Sequence, residues 1–153
     1  MTSKKQTIKK KREPIEPKAS LLIINKGRIL LSKAPDGSFV RPPGGHIEYF
    51  ETSLVAVNRE IKEEVGSKII NPKLEKVIEN LFYFYGKKAH DIYFIYSGSL
   101  AKKSLYEQEV VIGDENGKPK KFYWINISEI IKGKEKIVPN GVLDVVLRLN
   151  RNR

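Results

Sequence analysis

Two apolar runs near the start of the chain predict a β-hairpin. Residues 19–25 and 28–33 are rich in Leu and Ile, and the segment Asn25-Lys26-Gly27 joins them. Asn and Gly between two apolar runs are typical of a tight turn, because both residue types tolerate positive φ. The pattern therefore predicts an antiparallel pair of strands here.

A helical pattern follows between residues 52 and 66. Its apolar positions recur three or four residues apart, at Leu54, Val57, Ile61 and Val65. This spacing is typical of a helix with one buried face, and the small Ala56 is expected to leave open space near the acids of the next turns. Thr52 or Ser53 can cap the helix, and Gly66 is typical of a helix end.

The second half of the chain predicts mainly strands. Four are expected, at residues 73–85, 89–97, 107–112 and 121–125. We expect most of eight aromatic residues in the core, with one or two left to stack on a substrate base: Tyr49, Phe50, Phe82, Tyr83, Phe84, Tyr85, Tyr93 and Tyr96. A short helical turn at Ser128 and a last helix from an Asn140 cap to about Leu149 complete the order. The chain is thus predicted to be a mostly β, α/β sandwich with one central and one terminal helix.

Size and composition fit a single globular domain. The chain has 153 residues, of which 40% are apolar and 31% charged. It has no cysteine, which excludes disulfides and thiolate catalysis and fits a reducing compartment. No apolar run approaches the roughly 20 residues that span a bilayer, and the charged N-terminus is not followed by the apolar stretch of a secretory signal. We therefore expect a cytoplasmic protein with no membrane partner.

Positive charge is concentrated at the N-terminus. The net charge is +11, and residues 1–18 carry +5 of it through seven Lys or Arg and two Glu. We interpret residues 1–18 as a basic, disordered tail and residues 19–153 as the folded domain. The surplus of positive charge suits an anionic substrate. A solvated tail is the favoured interpretation, and RNA is an alternative partner through the tail.

Acidic residues crowd one face of the predicted central helix. Glu60, Glu63 and Glu64 are spaced so that their carboxylates repel one another unless a cation lies between them. In a solvated acidic face we would expect a lysine four residues after each acid, but the only such residue, Lys68, lies beyond the helix end. Carboxylate oxygens are the ligands that Mg²⁺ prefers, so the pattern predicts a divalent-metal site.

The stretch around these acids resembles the Nudix box of the Nudix hydrolase family. It matches through the pattern Gly45-x5-Glu51-x7-Arg59-Glu60-Ile61-x-Glu63-Glu64-x-Gly66. Such a match arises by chance on the order of 10⁻⁹ times per start site. Two positions differ from the residues usual in the family: Phe50 stands where many members have glycine, and Ser67 replaces an aliphatic residue. With its flanking order of elements, the resemblance spans about residues 19–150.

The resemblance implies a Nudix-type α/β/α sandwich with a mixed β-sheet. It implies hydrolysis of the pyrophosphate bond in a nucleoside diphosphate linked to another moiety. Four groups would bind the divalent cofactor, Mg²⁺ or Mn²⁺: the carboxylates of Glu60, Glu63 and Glu64 and the carbonyl oxygen of Gly45. Arg59 would form an ion pair with Glu51 and hold the loop against the helix, and both would belong to the catalytic set.

The general base is left open among several acids. Within the box, Glu60 is the first candidate. A later acid is the alternative, and Glu107 or Glu109 lies about 45 residues after the helix. Asp114 and Glu115 are weaker candidates because they fall on a turn signal.

Two further residues are candidates for substrate binding. Arg41, just before the Pro-Pro-Gly-Gly run, offers a fork of donors to a phosphate, and a surface ion pair is an equally weighted alternative. His46 follows the same run and can reach the site. His90 is expected to be an ordinary strand residue.

Two other functional classes compete with the hydrolase. One is a catalytically silent Nudix module that binds a nucleotide or RNA, although no acid of the box is missing. The other is an RNA 5′-end pyrophosphohydrolase that uses the basic tail for backbone attraction. The nucleotide itself is not specified by the sequence, and a homodimer is compatible with a chain of this size.

Overall fold

The computed structural model describes residues 12–153, which form nine strands, three α-helices and one 3₁₀ helix. In chain order these are β1 (Glu16–Leu22), β2 (Ile24–Asn25), β3 (Arg28–Lys33), β4 (Val40–Arg41), β5 (Gly44–His46), α1 (Ser53–Glu64), β6 (Ile69–Phe84), β7 (Lys87–Leu100), the 3₁₀ helix (Lys103–Glu107), β8 (Val110–Glu115), β9 (Lys118–Asn126), α2 (Ile127–Ile131) and α3 (Val142–Arg151).

The strands form two sheets. The first has the order β5-β1-β7-β6 and is mixed, because β1 runs parallel to β7 while the other two pairs are antiparallel. The second has the order β2-β3-β9-β8 and is antiparallel, with β4 paired to β3 beside it. The predicted mixed sheet is confirmed.

Helices cover both sides of these sheets. Successive residues of β1 point to opposite faces, as in any strand. Leu21 packs in the same cluster as Val57 and Ile61 of α1. Its neighbour Leu22 packs in a second cluster with Val146 of α3. The predicted α/β/α sandwich is therefore confirmed.

Local signals placed two elements correctly. Lys26 and Gly27 have φ of 51° and 73°, so they form the tight turn of the predicted β2–β3 hairpin. The Thr52 hydroxyl accepts a hydrogen bond from the Val55 N–H at the start of α1, and the chain leaves the helix at Gly66, where φ is 79°.

Three predicted boundaries are wrong. β1 begins at Glu16, so the last three residues assigned to the basic tail belong to the sheet; residues 1–11 lie outside the described residues. The chain forms the 3₁₀ helix up to Glu107, where a strand was expected. The cap position of α3 is Gly141, with φ of 93°, rather than Asn140.

The buried face of α1 is rotated relative to the prediction. Leu54, expected in the core, is 44% exposed. Ala56, expected to leave open space, is fully buried beside Val57 and Ile61 in the core cluster. As a result Glu64, three residues after Ile61, is carried towards the sheet and is itself buried.

The prediction that most of the eight candidate aromatic residues lie in the core is also wrong. Five aromatic residues are exposed: Tyr49, Phe50, Tyr83, Phe84 and Tyr85. The first two lie in the loop before α1, and Phe50 adopts the left-handed region (φ 63°) that favours glycine. Tyr83 and Phe84 end β6, an edge strand that has a neighbour on one side only, and Tyr85 lies in the turn that follows.

Within residues 12–153, no helix combines the length and the apolar character needed to cross a membrane.

Candidate active site

A cavity of about 750 Å³ opens where α1, β1, β5 and the β8–β9 turn meet. Acids from α1 and from the turn line it: Glu60, Glu63, Glu64, Asp114 and Glu115. Cations from β1 and β4, Lys18 and Arg41, line it as well. The cavity thus combines carboxylates with groups that attract an anion.

The Pro-Pro-Gly-Gly run lays backbone directly against these acids. The Gly44 N–H donates a hydrogen bond to Glu64 Oε2 at 3.1 Å. A Cβ atom at Gly45 would overlap the carboxylate of Glu60, and one at Gly44 would overlap the β1 backbone. Glycine is therefore required at Gly44, where the overlap is with backbone, whereas a larger residue at Gly45 would displace the Glu60 carboxylate.

Arg59 joins the loop to the helix. Its Nε and Nη2 donate to the two oxygens of Glu51 at 2.7 and 3.0 Å, and Nη2 also donates to the His46 carbonyl oxygen. Its Nη1 donates to Glu60 at 2.9 Å and lies 3.4 Å from Glu63. The predicted ion pair with Glu51 is confirmed. The same guanidinium also binds two of the predicted metal ligands.

This pairing shifts both ionisation equilibria. The hydrogen bonds from Arg59, with a further one from the Glu48 N–H, lower the pKa of Glu51 to about 2. The pKa of Arg59 is raised for the reciprocal reason, first by Glu51 and then by Glu60. Glu51 is therefore ionised at neutral pH.

We expect the Glu51→Gln substitution to lower stability in a pH-dependent way. The pKa of Glu51 is lower in the folded chain than its ordinary value of 4.5, so its ionisation stabilises the fold above that pH. This contribution is lost as the pH falls from 4.5 towards about 2. Urea denaturation midpoints from about pH 7 to about pH 3 should show a gap between wild type and variant that narrows below 4.5.

The control for this prediction is Glu129→Gln, which removes a carboxylate whose one ion pair within residues 12–153 is with Lys134. Its midpoint should follow that of the wild type closely over the same range. A gap for Glu51→Gln that is the same at every pH would contradict the ionic role of Glu51.

Glu64 is the buried acid of the site. Its side chain is 7% exposed, and Lys120 from β9 donates to its Oε1 at 2.8 Å. Burial raises the pKa of Glu64, and the neighbouring Lys120 ammonium and the Gly44 N–H oppose that rise. The buried carboxylate is thus held by one charge and one backbone donor.

Lys120 is a site residue that sequence reasoning missed. Its ammonium also lies 3.0 Å from Glu115 Oε1, so it bridges α1 and the β8–β9 hairpin. The hairpin can come this close because β8 has Gly113, where a Cβ atom would overlap the Glu64 carbonyl oxygen. A glycine inside a strand pattern is the one sequence signal of this approach.

The chain matches a known protein family. A family model for the NUDIX domain matches residues 14–143. The chain belongs to the NUDIX family. As a Nudix hydrolase it acts on phosphoric anhydride bonds, and all the acids of the box are present. No curated protein sequence matches the chain at a significant level.

Solved structures agree with this assignment at the level of the fold. A MutT NUDIX hydrolase from Burkholderia pseudomallei is 24% identical, with a TM-score of 0.60 over 76% of this chain and 86% of that one. A NUDIX hydrolase from Nitrosomonas europaea is 18% identical, with a TM-score of 0.65 over 91% and 90%. The MutT protein from Methanosarcina mazei Go1 is 21% identical, with a TM-score of 0.59 over 94% and 98%.

Nudix hydrolases generally use divalent metals, and the donor set of this site fits one. Five carboxylates lie here in two hydrogen-bonded groups: Glu51, Glu60 and Glu63 around Arg59, and Glu64 and Glu115 around Lys120. Only Arg59 and Lys120 neutralise them in the contacts of residues 12–153, which leaves three formal negative charges. The donors are all oxygen, as a hard divalent cation requires.

The three predicted ligands do not converge as expected. In the described part of the chain, no three His, Cys, Asp or Glu side chains come close enough to hold a metal ion. The three side chains therefore do not form a preformed metal site in this structure. The physical reason is that Arg59 binds Glu60 and Glu63, while Lys120 draws Glu64 towards the hairpin.

The structure brings the two predicted substrate-binding residues of this Nudix hydrolase to the cavity. Arg41 is exposed, and no carboxylate among residues 12–153 lies within ion-pair distance of it. His46 lines the cavity, and its Nε2 lies 2.9 Å from Glu16 Oε2, a contact that lowers the pKa of Glu16. The alternative of a surface ion pair at Arg41 is not realised in this part of the chain.

The preference for Glu107 and Glu109 as the later acid is wrong, because the fold places both side chains away from the cavity. Neither residue lines the cavity, because Glu107 ends the 3₁₀ helix and Glu109 precedes β8 on the exposed surface. Asp114 and Glu115, at the far end of β8, do line it. The turn signal made these two acids weaker candidates in the sequence, yet their position beside the β8–β9 turn places them at the site.

A second cavity of about 600 Å³ adjoins the first. The two share four lining residues: Lys18, Arg41, Tyr93 and Val138. The second is lined further by aromatic rings, including Phe39 and Phe82, and by Lys88 and Lys136. Sequence reasoning placed Lys18 in the basic tail and named Tyr93 only as one of eight aromatic residues.

Proposed function

We propose that this Nudix hydrolase cleaves the pyrophosphate bond of a nucleoside diphosphate linked to another moiety, with Mg²⁺ or Mn²⁺ as cofactor. Glu60, Glu63 and Glu64 would bind the cofactor, together with the Gly45 carbonyl oxygen. The observation that carries the proposal is the pairing, in one cavity, of a net-negative acid group with the cations Lys18 and Arg41.

Divalent metal in this group would neutralise phosphate oxygens and lower the pKa of the attacking water. Arg59 holds the loop against the helix, so that the backbone of Gly45 stays beside the acids. Glu60 is our candidate for the base that accepts the proton from water. Glu115 is the alternative from the turn, because it lies at the same cavity.

Lys18 and Arg41 are the groups that would bind the substrate phosphates. Lys18 is fixed by an ion pair of 2.9 Å with Asp91, whose side chain is 2% exposed. Because a buried carboxylate without a partner is costly, this pair holds the ammonium of Lys18 in one place. Arg41 adds a planar fork of donors that fits phosphate oxygens.

The adjoining second cavity is where we would place the nucleoside. It begins at Lys18 and Arg41 and continues past Tyr93 to the rings of Phe39 and Phe82. Aromatic faces stack on bases of any type. Burial raises the pKa of Tyr93 to about 12, so its hydroxyl stays protonated and able to donate a hydrogen bond.

A product-resolved phosphate-release panel tests the proposal. It uses Mg²⁺ or Mn²⁺ and covers canonical and oxidised (d)NTPs, ADP-ribose, NADH, dinucleoside polyphosphates and 5′-triphosphate RNA. Metal-dependent turnover of one class, with cleavage between two phosphates, is the expected result. Folded protein that binds Mn²⁺ but turns over no member of the panel would count against it and favour the nucleotide- or RNA-binding alternative.

A further inference from the structure

The proposed reaction leaves one buried cation of the site without a role. Lys120 lies between two carboxylates, at 2.8 Å from Glu64 and 3.0 Å from Glu115. Its side chain is only 12% exposed, and its ammonium lies 5.5 Å from the centre of the Phe122 ring. The position is well defined, because both acids and the aromatic ring hold the ammonium.

The two carboxylates bound to Lys120 are unequal. Glu64 is buried, whereas the side chain of Glu115 is 50% exposed. A charge pair that is shielded from water is strong only while both partners are present, and losing one leaves the other at high cost. Glu115 can keep the ammonium when Glu64 is engaged elsewhere, since water solvates part of that pair.

Lys120 also contacts an oxygen that a divalent cofactor would need. Each oxygen of Glu64 already accepts one hydrogen bond, Oε2 from the Gly44 N–H and Oε1 from Lys120, so a divalent ion must share this carboxylate with the ammonium. An ammonium and a divalent ion on one buried carboxylate repel each other strongly, because little water screens them. Lys120 and the ion therefore compete for Glu64.

We propose that Lys120 is a positioning residue that sets the metal affinity of the site. It pairs with Glu64 until a divalent ion binds there, and it then moves to Glu115 alone. This inference rests on the proposed metal dependence. The ion pair with Lys120 raises the free-energy cost of metal binding. Between turnovers the same pair holds the side chain of the buried Glu64 in one position.

Mn²⁺ affinity measured by electron paramagnetic resonance tests the inference. In Lys120→Met, which keeps the length of the side chain but removes its charge, the Kd for Mn²⁺ at about pH 8 should fall about tenfold. Lys120→Arg keeps the charge and should stay near the wild type. Lys121→Met is the matched control, because Lys121 is the next residue of β9 and is exposed; its Kd should not change.

An unchanged or higher Kd for Mn²⁺ in Lys120→Met overturns the inference while leaving the proposed cofactor in place. Wild-type protein that binds no Mn²⁺ overturns both the inference and the proposed cofactor.

A second measurement needs no variant: reductive methylation of the wild type, read by peptide mass spectrometry. Modification of Lys120 should speed up when Mn²⁺ is added while that of Lys121 stays the same, and an unchanged rate at Lys120 counts against the inference.

Discussion

Turnover by Glu64→Gln is expected to fall about a thousandfold or more, since a lost metal ligand removes several kcal/mol of transition-state stabilisation. Glutamine has nearly the same shape as glutamate, and its amide oxygen can still accept the Gly44 hydrogen bond. Its neutral amide cannot balance a divalent ion or the Lys120 ammonium. The loss should therefore appear in kcat as well as in Mn²⁺ affinity, measured on the substrate class that the panel identifies.

Glu129→Gln is the control for this prediction. Glu129 lies on α2, pairs with Lys134 and lines neither cavity. Its turnover should equal that of the wild type. Because Glu64 is buried, each variant is first compared by circular dichroism and urea denaturation. Wild-type turnover in a folded Glu64→Gln protein would undo the metal assignment.

Features encoded within a few residues were predictable from the sequence. The α1 helix follows from its apolar spacing, with Thr52 at its start and Gly66 at its end. The pairing of Arg59 with Glu51 follows from the box, which supplies both partners eight residues apart. These contacts form within one loop and one helix, so they depend little on how the rest of the chain packs.

The contact of Lys120 with Glu64 was not predictable, because its partners lie 56 residues apart. It depends on how closely the β8–β9 hairpin approaches α1, which the strand pattern does not report. The same packing explains why Glu115 lines the cavity and Glu107 does not. Distance along the sequence favoured Glu107, and only the direction of β8 places Glu115 at the cavity instead.

Gly113→Ala is expected to destabilise the fold by about 3 kcal/mol or more, since a methyl group forced against backbone exceeds the usual cost of overpacking a core. The added Cβ would overlap the carbonyl oxygen of Glu64 and approach the Phe122 ring. To relieve this overlap, the hairpin must move away from the end of α1. Lys120 and Glu115 would move with it, so the variant should lose turnover together with stability. Urea denaturation and the substrate assay measure the two effects.

Gly133→Ala separates this overlap from the general cost of replacing a glycine. Gly133 has φ of 77° and open space where a Cβ would lie. Its substitution should cost only about 1 kcal/mol of backbone strain and leave turnover unchanged. If Gly113→Ala were as stable and as active as the wild type, β8 could not lie against Glu64 as described. The placement of Lys120 and Glu115 at the acid group would then have to be abandoned, because the hairpin carries both residues.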